Sequence, residues 1–183
     1  IDSVVEPGLG LLGEHRWGGH AEFVVVPQWH PVSRPAGRSW TDCAAYPVAY
    51  VTAWRMLRLA GVGPLSRVLV IGIGGGVATA ALVLANHLGA IVDVTSRDAD
   101  KRERGLALGA HDAIESAGPF PKGYDAVIDS VGGPIFQPAL HSLRAGGSFV
   151  TCGATAGTDV EFSIPYVFFR QLSIHGVTLG SHQ

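Results

Sequence analysis

A short hydrophobic run followed by clustered glycines constrains the fold of this chain more than any other feature. The run is Val68-Leu-Val-Ile71, and the glycine turn Gly72-Ile-Gly-Gly-Gly76 leads from it into a stretch rich in Ala and Leu that begins at Val77. Such a run indicates a buried strand, and the stretch after the turn indicates a helix. Glycines at this junction let backbone N–H groups approach a phosphate, which the helix N-terminus attracts. The pattern therefore predicts a strand–turn–helix unit that binds a dinucleotide.

From residue 67 onward, predicted strands and helices alternate at the spacing of βαβ units. We expect strands over residues 68–71, 91–95, 113–114, 124–129, 148–152 and 173–178. We expect helices over residues 77–88, 98–108 and 136–143, with a helical turn over 167–171. This alternation indicates a parallel sheet with helices on both faces. We predict an α/β fold, a Rossmann-type doubly wound parallel sheet.

The first part of the chain has a different texture. Residues 1–38 are rich in Gly and Pro, and Ala21-Glu-Phe-Val-Val-Val-Pro27 reads as one strand bounded by turns. Thr41-Asp42 then opens a predicted helix, which either residue can cap. We therefore divide the chain into a short β-rich segment, 1–38, and a nucleotide-binding domain, 39–183.

Composition narrows the classes of function. Of the 183 residues 47% are hydrophobic and 15% are charged, which is typical of a globular chain. The net charge of −2, with scattered Lys and Arg, argues against a nucleic-acid partner. Uninterrupted apolar stretches fall short of the roughly 20 residues that a membrane span needs. With two cysteines, Cys43 and Cys152, a disulfide framework is excluded, and we expect a cytoplasmic protein that acts on a small molecule.

The end of the second predicted strand indicates which dinucleotide is bound. An NAD site usually carries an acidic residue there for the ribose 2′-hydroxyl. Here the tip reads Thr95-Ser-Arg97. Hydroxyls and a guanidinium favour a 2′-phosphate, so Ser96 and Arg97 predict a preference for NADP(H). NAD(H) is the alternative, because Asp93 within the strand and Asp98 after its tip could each supply a carboxylate.

Several motifs in order resemble those of the medium-chain dehydrogenase/reductase superfamily, on the side of quinone oxidoreductases and zinc-type alcohol dehydrogenases. The resemblance covers essentially the whole chain. The motifs are Gly19–Pro27, Asp42–Trp54, Gly72–Ala78, Gly105–Ala110, Tyr124–Gly133 and Leu143–Val150.

The resemblance implies a GroES-like catalytic domain for the substrate and a Rossmann domain for the cofactor. Hydride would pass to or from the nicotinamide C4 between them. The residues implied to contact the cofactor are Thr52 near the nicotinamide; Gly74, Gly75, Gly76 and Val77 on the pyrophosphate; Ser96 and Arg97 on the adenosine ribose; Ser130 and Val131 on the ribose side; and Cys152, Gly153 and Ala154 along the nicotinamide ribose and amide. The edge strand Ser173–Thr178 is implied to pair two subunits into a homodimer.

The chain differs from the family at the positions that bind zinc in alcohol dehydrogenases. We expect a fragment without most of the GroES-like domain, because Ile1-Asp2 matches a position well inside that domain. Val48 stands about where alcohol dehydrogenases supply a zinc ligand, and no cysteines stand between Pro7 and Leu12, where a structural zinc lobe would fall. No zinc is expected from this chain.

Three functions follow from these observations. The first is NADPH-dependent reduction of a quinone, enone or other activated carbonyl compound, or the cofactor-binding portion of such an enzyme. The second is a zinc-dependent alcohol dehydrogenase whose metal ligands lie outside this chain, and the third is a nucleotide-binding module without turnover. Hydride chemistry requires no protein nucleophile, so no catalytic residue is assigned.

Overall fold

In a computed structural model of the chain, residues 12–14 and 16–179 are described. The chain divides into two compact units, with a boundary after Pro47. One unit takes in the residues up to Pro47 and those from Thr178 on, and the other is Val48–Val177. Ile1-Asp2, on which the expectation of a fragment rests, lies outside the described residues. So does Pro7, where the segment without zinc-lobe cysteines begins. No helix in the described part is long and apolar enough to cross a membrane.

The elements alternate as the hydrophobic pattern predicts. The helices are α1 (Trp40–Leu59), α2 (Gly76–His87), α3 (Ala99–Ala107), α4 (Phe136–Ser142) and α5 (Ile164–Phe169). The strands are β1 (Arg67–Val70), β2 (Ile91–Ser96), β3 (Asp112–Glu115), β4 (Tyr124–Asp129), β5 (Leu143–Thr151) and β6 (Ser173–Gly176). A 3-10 turn, Gly133–Ile135, precedes α4.

These strands form one parallel sheet in the order β3-β2-β1-β4-β5-β6. The prediction of a Rossmann-type fold is confirmed, because this order is that of a doubly wound sheet. The order reverses between β1 and β4, where the connections leave in opposite directions. A crevice forms at the carboxyl ends of the strands at such a point.

Alternate residues of β1 show how the sheet is covered on both faces. Val68 and Val70 belong to the core that packs α1 and α2 on one face. Leu69 and Ile71 belong to the core that packs α4 on the other face, where Phe149 of β5 also lies. Because side chains alternate across a strand, an uninterrupted apolar run serves both cores at once.

The prediction of a strand over Ala21–Pro27 is wrong. No strand forms there, and Phe23 and Val25 are 84% and 98% exposed. A strand needs a partner for its backbone N–H and C=O groups, and within residues 16–38 no second strand supplies one. The described residues of the first unit are therefore not β-rich; a single isolated bridge joins Leu12 to Arg16.

Several element boundaries also differ from the prediction. Strand β5 begins at Leu143, five residues before its predicted start, and α5 spans Ile164–Phe169 where a helical turn is predicted over residues 167–171. Helix α1 begins at Trp40, and the cap is Ser39: its Oγ accepts a hydrogen bond from the Asp42 N–H at 3.0 Å, while the Asp42 carboxylate accepts from the Ser39 N–H at 3.4 Å. This reciprocal pair is a capping box. The last strand ends at Gly176, two residues before the predicted end at Thr178.

Candidate functional site

A cleft of about 840 Å³ lies where the order of the strands reverses. The residues that follow β1, β2, β3, β4 and β5 all contribute to its walls. Those used below are Gly72, Gly74, Gly75, Ser96, Arg97, Lys101, Glu115, Val131, Gly132 and Ala156. Dinucleotides bind at this position in doubly wound sheets, so the cleft is the candidate cofactor site.

Two hydrogen bonds to the end of β2 fix the conformation of the glycine turn. The Gly72 N–H donates to Thr95 Oγ1 at 3.2 Å and the Ile73 N–H to the Thr95 carbonyl at 2.8 Å. Gly72 and Gly74 have φ angles of +80° and +100°, which side chains disfavour. Gly75 precedes α2 with no side-chain cap, so the first N–H groups of the helix are left for an anion.

Two cations lie beside this turn. Arg97 and Lys101 line the cleft with Ser96, and in the described part of the chain neither side chain makes a hydrogen bond or ion pair with another residue. The Lys101 side chain lies over the glycine turn so closely that a Cβ on Gly74 would meet its Cδ at 2.7 Å. Positive charge and open amides thus converge on one region of the cleft.

Lys101 was not predicted from the sequence. It sits in the first turn of α3, five residues after the last residue of β2, and charged residues in such a turn usually read as a solvated helix face. The sequence nevertheless held a signal for Lys101. When a helix follows closely after a strand, the first turn of the helix lies near the end of that strand. Arg102 was also missed; its Nη1 donates to the Ser96 carbonyl at 2.7 Å and braces the strand end.

The two aspartates that could have supported NAD(H) are occupied elsewhere. Asp98 caps α3, because its Oδ1 accepts from the Asp100 N–H at 2.9 Å and from the Lys101 N–H at 3.2 Å. Asp93 is buried and accepts a hydrogen bond from the Tyr124 hydroxyl at 2.5 Å, with His111 Nδ1 at 3.1 Å. Burial, and then this bond to Asp93, raises the pKa of Tyr124. Neither carboxylate lines the cleft.

Asp129 organises the wall on the β4 side of the cleft. It is fully buried at the end of β4, where Oδ1 accepts from the Val131 N–H at 2.8 Å and the Gly132 N–H at 3.2 Å. Thr151 Oγ1 of β5 donates to Oδ2 at 3.3 Å. Burial raises the pKa of Asp129, while these bonds oppose the rise. The sequence signal is an acid that ends an apolar strand before a glycine pair.

The loops after β4 and β5 pack directly on each other. A Cβ on Gly153 would lie 2.8 Å from the Ser130 carbonyl oxygen, and one on Gly132 would lie 3.1 Å from the Cα of Ala154. The Ala156 N–H donates to the Val131 carbonyl at 2.8 Å. The two loops therefore form a single wall, which brings the predicted residues Ser130, Val131, Gly153 and Ala154 together.

Thr52 and Cys152 lie apart from the cleft's lining residues. Thr52 is buried in α1, and its Oγ1 donates to the Val48 carbonyl one turn earlier at 2.6 Å. Thr52 is not among the residues that line the cleft, and its place near the nicotinamide stays a prediction. Burial, and then the charge of Asp129, raises the pKa of the Cys152 thiol to about 11. The thiol is therefore protonated at neutral pH and is a poor nucleophile.

The predicted site residues thus fall into two groups. Gly74, Gly75, Ser96, Arg97 and Val131 line the cleft itself. The others do not line it: Gly76 and Val77 lie in the first turn of α2, Ser130 and Cys152–Ala154 in the paired loops, and Thr52 in α1.

The described residues of the cleft fit a dinucleotide. The glycine turn leaves a cradle that a side chain would fill, next to uncapped amides and unpaired cations. Among residues 12–14 and 16–179, no group of three His, Cys, Asp or Glu side chains is arranged to hold a metal.

The fold, the glycine turn and the strand order together define a medium-chain dehydrogenase/reductase architecture. Residues 76–183, more than half of the chain, match the zinc-binding dehydrogenase family, and the chain belongs to that family.

Three relatives illustrate the range of this similarity. A crystal structure of an NAD-dependent alcohol dehydrogenase has a TM-score of 0.85 at 36% identity, covering 91% of this chain and 52% of that one. The quinone oxidoreductase of Thermus thermophilus, solved also with NADPH, has a TM-score of 0.81 at 30% identity, covering 92% and 56%. The 2-methylene-furan-3-one reductase of Solanum lycopersicum is 33% identical, covering 84% and 41%. The chain thus spans about half the length of these proteins.

Proposed function

We propose that this chain is the cofactor-binding portion of an NADPH-dependent oxidoreductase that reduces a quinone, an enone or another activated carbonyl compound. One observation carries the proposal: Ser96, Arg97 and Lys101 line the same cleft as the glycine turn, and the two cations are unpaired among the described residues. The similarity to a quinone oxidoreductase of Thermus thermophilus and to a 2-methylene-furan-3-one reductase of Solanum lycopersicum supports the class of substrate.

Each part of the cleft has its own task in this proposal. The amides of the glycine turn and of the first turn of α2 bind the pyrophosphate. Arg97 and Lys101 bind the 2′-phosphate, assisted by the Ser96 hydroxyl. The wall that Asp129 holds in place orients the half of the cofactor that lies beyond β1. When bound, the cofactor supplies the hydride.

The reduction is tested by following NADPH oxidation through its absorbance with a simple quinone and with a cyclic enone. We expect turnover from the full-length protein with either acceptor, since a proton can come from solvent. Binding of NADPH without turnover above background, in the full-length protein, would favour a nucleotide-binding module instead.

A zinc-dependent alcohol dehydrogenase is the second candidate, favoured by the family match and by the alcohol dehydrogenase structure. Metal analysis of the full-length protein separates the two. One tightly bound zinc per subunit, together with loss of activity on chelation, would replace the first proposal with the second.

We also propose that two copies pair through β6 and that the protein acts in the cytoplasm. Strand β6 pairs with β5 along one edge and ends the sheet order on the other. A free strand edge favours pairing with a second copy. Light scattering of the purified protein measures the assembly directly.

A further inference from the structure

A carboxylate enters the cleft from a strand that the sequence does not link to cofactor choice. Among the described residues that line the cleft, Glu115 is the only acidic one. It ends β3, in register with Ser96 at the end of β2. Neighbouring strands lie about 4.8 Å apart, and residues paired in register direct their side chains to the same face. The carboxylate and the Ser96 hydroxyl therefore arise side by side at one end of the cleft.

Glu115 has no evident task in holding the fold. Its side chain is exposed and makes no hydrogen bond or ion pair with any other described residue; the contact it does make is through its carbonyl oxygen, which accepts from the Gly118 N–H at 3.4 Å. Asp98 and Asp129, by contrast, each accept hydrogen bonds from backbone N–H groups nearby. The charge of Glu115 is thus free to act on whatever occupies the cleft.

We propose that Glu115 is a specificity-determining residue that lowers the preference for NADPH over NADH. The inference rests on the proposed function, in which Arg97 and Lys101 bind the 2′-phosphate. A carboxylate in the same cleft as those cations repels a phosphate group, and it can accept a hydrogen bond from the 2′-hydroxyl of NADH. Arg97 and Lys101 then favour NADPH, and Glu115 favours NADH. The preference of the cleft for one nucleotide over the other is the difference between these two effects.

The size of the effect follows from the position of the charge. Glu115 is exposed at the edge of an open cleft, so its charge acts through largely solvated space and is screened by salt. Interactions of this kind are modest, and we expect removal of the charge to raise the selectivity ratio by roughly three- to tenfold at low salt. The change should shrink at high ionic strength, whereas a change of shape would not.

The test measures dissociation constants for NADPH and NADH with the full chain and its Glu115→Gln variant, at low and at high salt. Gln keeps the size of the side chain and removes its charge. We expect NADPH to bind about three- to tenfold more tightly, and NADH to bind equally or more weakly. Glu103→Gln is the matched control, because Glu103 is exposed on α3 and does not line the cleft; we expect it to leave the ratio unchanged.

Equal changes for the two nucleotides, no change, or weaker NADPH binding in Glu115→Gln would overturn the inference. A ratio that moved equally in Glu103→Gln would also overturn it, because a general change of net charge would then explain the effect. If the unaltered chain bound neither nucleotide, the proposed function itself would fail. Binding by the unaltered chain is measured before any variant is compared. Failure of the proposed function is therefore distinguished from failure of the inference about Glu115.

Discussion

At the scale of single residues, Asp129 connects stability to the shape of the cleft. Its carboxylate receives N–H groups from two residues of the next loop and a hydroxyl from β5. Without those acceptors, the N–H group of Gly132 would be left buried and unpaired, and that of Val131 would be unpaired in a part-buried position. An unpaired buried donor costs about 1–3 kcal/mol, so this one residue has a large effect on the wall.

We predict that Asp129→Ala lowers the free energy of unfolding by about 3 kcal/mol, because it leaves two N–H groups without acceptors. Asp129→Asn should lose less than half of that, since its amide oxygen can still accept. Urea denaturation of the two variants measures both values. Equal losses in the two variants would mean that the negative charge matters and the acceptor geometry does not.

At the scale of elements, the glycine turn depends on its backbone as well as on its open space. Gly74 combines a φ angle of +100° with the close approach of the Lys101 side chain. The turn therefore joins β1 to α2 and at the same time contacts α3.

We predict that Gly74→Ala weakens NADPH binding at least tenfold, because its Cβ strains the turn and displaces Lys101. Gly63→Ala is the matched control: it lies in the α1–β1 loop, has no positive φ, and a Cβ there meets nothing within 4 Å. Equilibrium binding by fluorescence checks the pair. Comparable loss of affinity in both variants would point to general destabilisation.

The elements also show which parts of the fold and of the site could be predicted from the sequence. The uninterrupted run Val68–Ile71 and the regular alternation after it were sufficient for strand positions and sheet type, because both depend on local periodicity. The pattern at Ala21–Pro27 misled, because a strand exists only with a partner. Lys101 reaches the cleft from the first turn of α3, and its position just after a strand tip was a local signal. Glu115 reaches the cleft through the register of β3 with β2, which local spacing does not show.

At the scale of the whole molecule, acid stability depends on the end of the sheet opposite the cleft. Burial alone would raise the pKa of Asp125, but the Arg67 N–H bond at 2.7 Å, the Arg144 Nε bond at 2.5 Å and both guanidinium charges together lower it. A carboxyl whose pKa is lower in the folded state stabilises the fold above its unfolded pKa of about 3.9. That contribution is lost as the pH falls through the folded value.

We therefore predict that Asp125→Asn is less stable than the unaltered chain at neutral pH, and that the difference narrows below about pH 4. Thermal unfolding at several pH values measures it. A difference in melting temperature that stayed constant from neutral pH down to about pH 3 would contradict this assignment.

Recognition of a 2′-phosphate by Arg97 and Lys101 is tested most directly by the ratio of NADH to NADPH dissociation constants, measured by calorimetry. We predict that the unaltered chain binds NADPH more tightly than NADH. Arg97→Ala should weaken NADPH by about tenfold or more, as expected for a charge-assisted hydrogen bond, and change NADH less than about twofold. Arg104→Ala, exposed in the last turn of α3, should leave both unchanged. Equal losses for NADPH and NADH in Arg97→Ala would contradict the account.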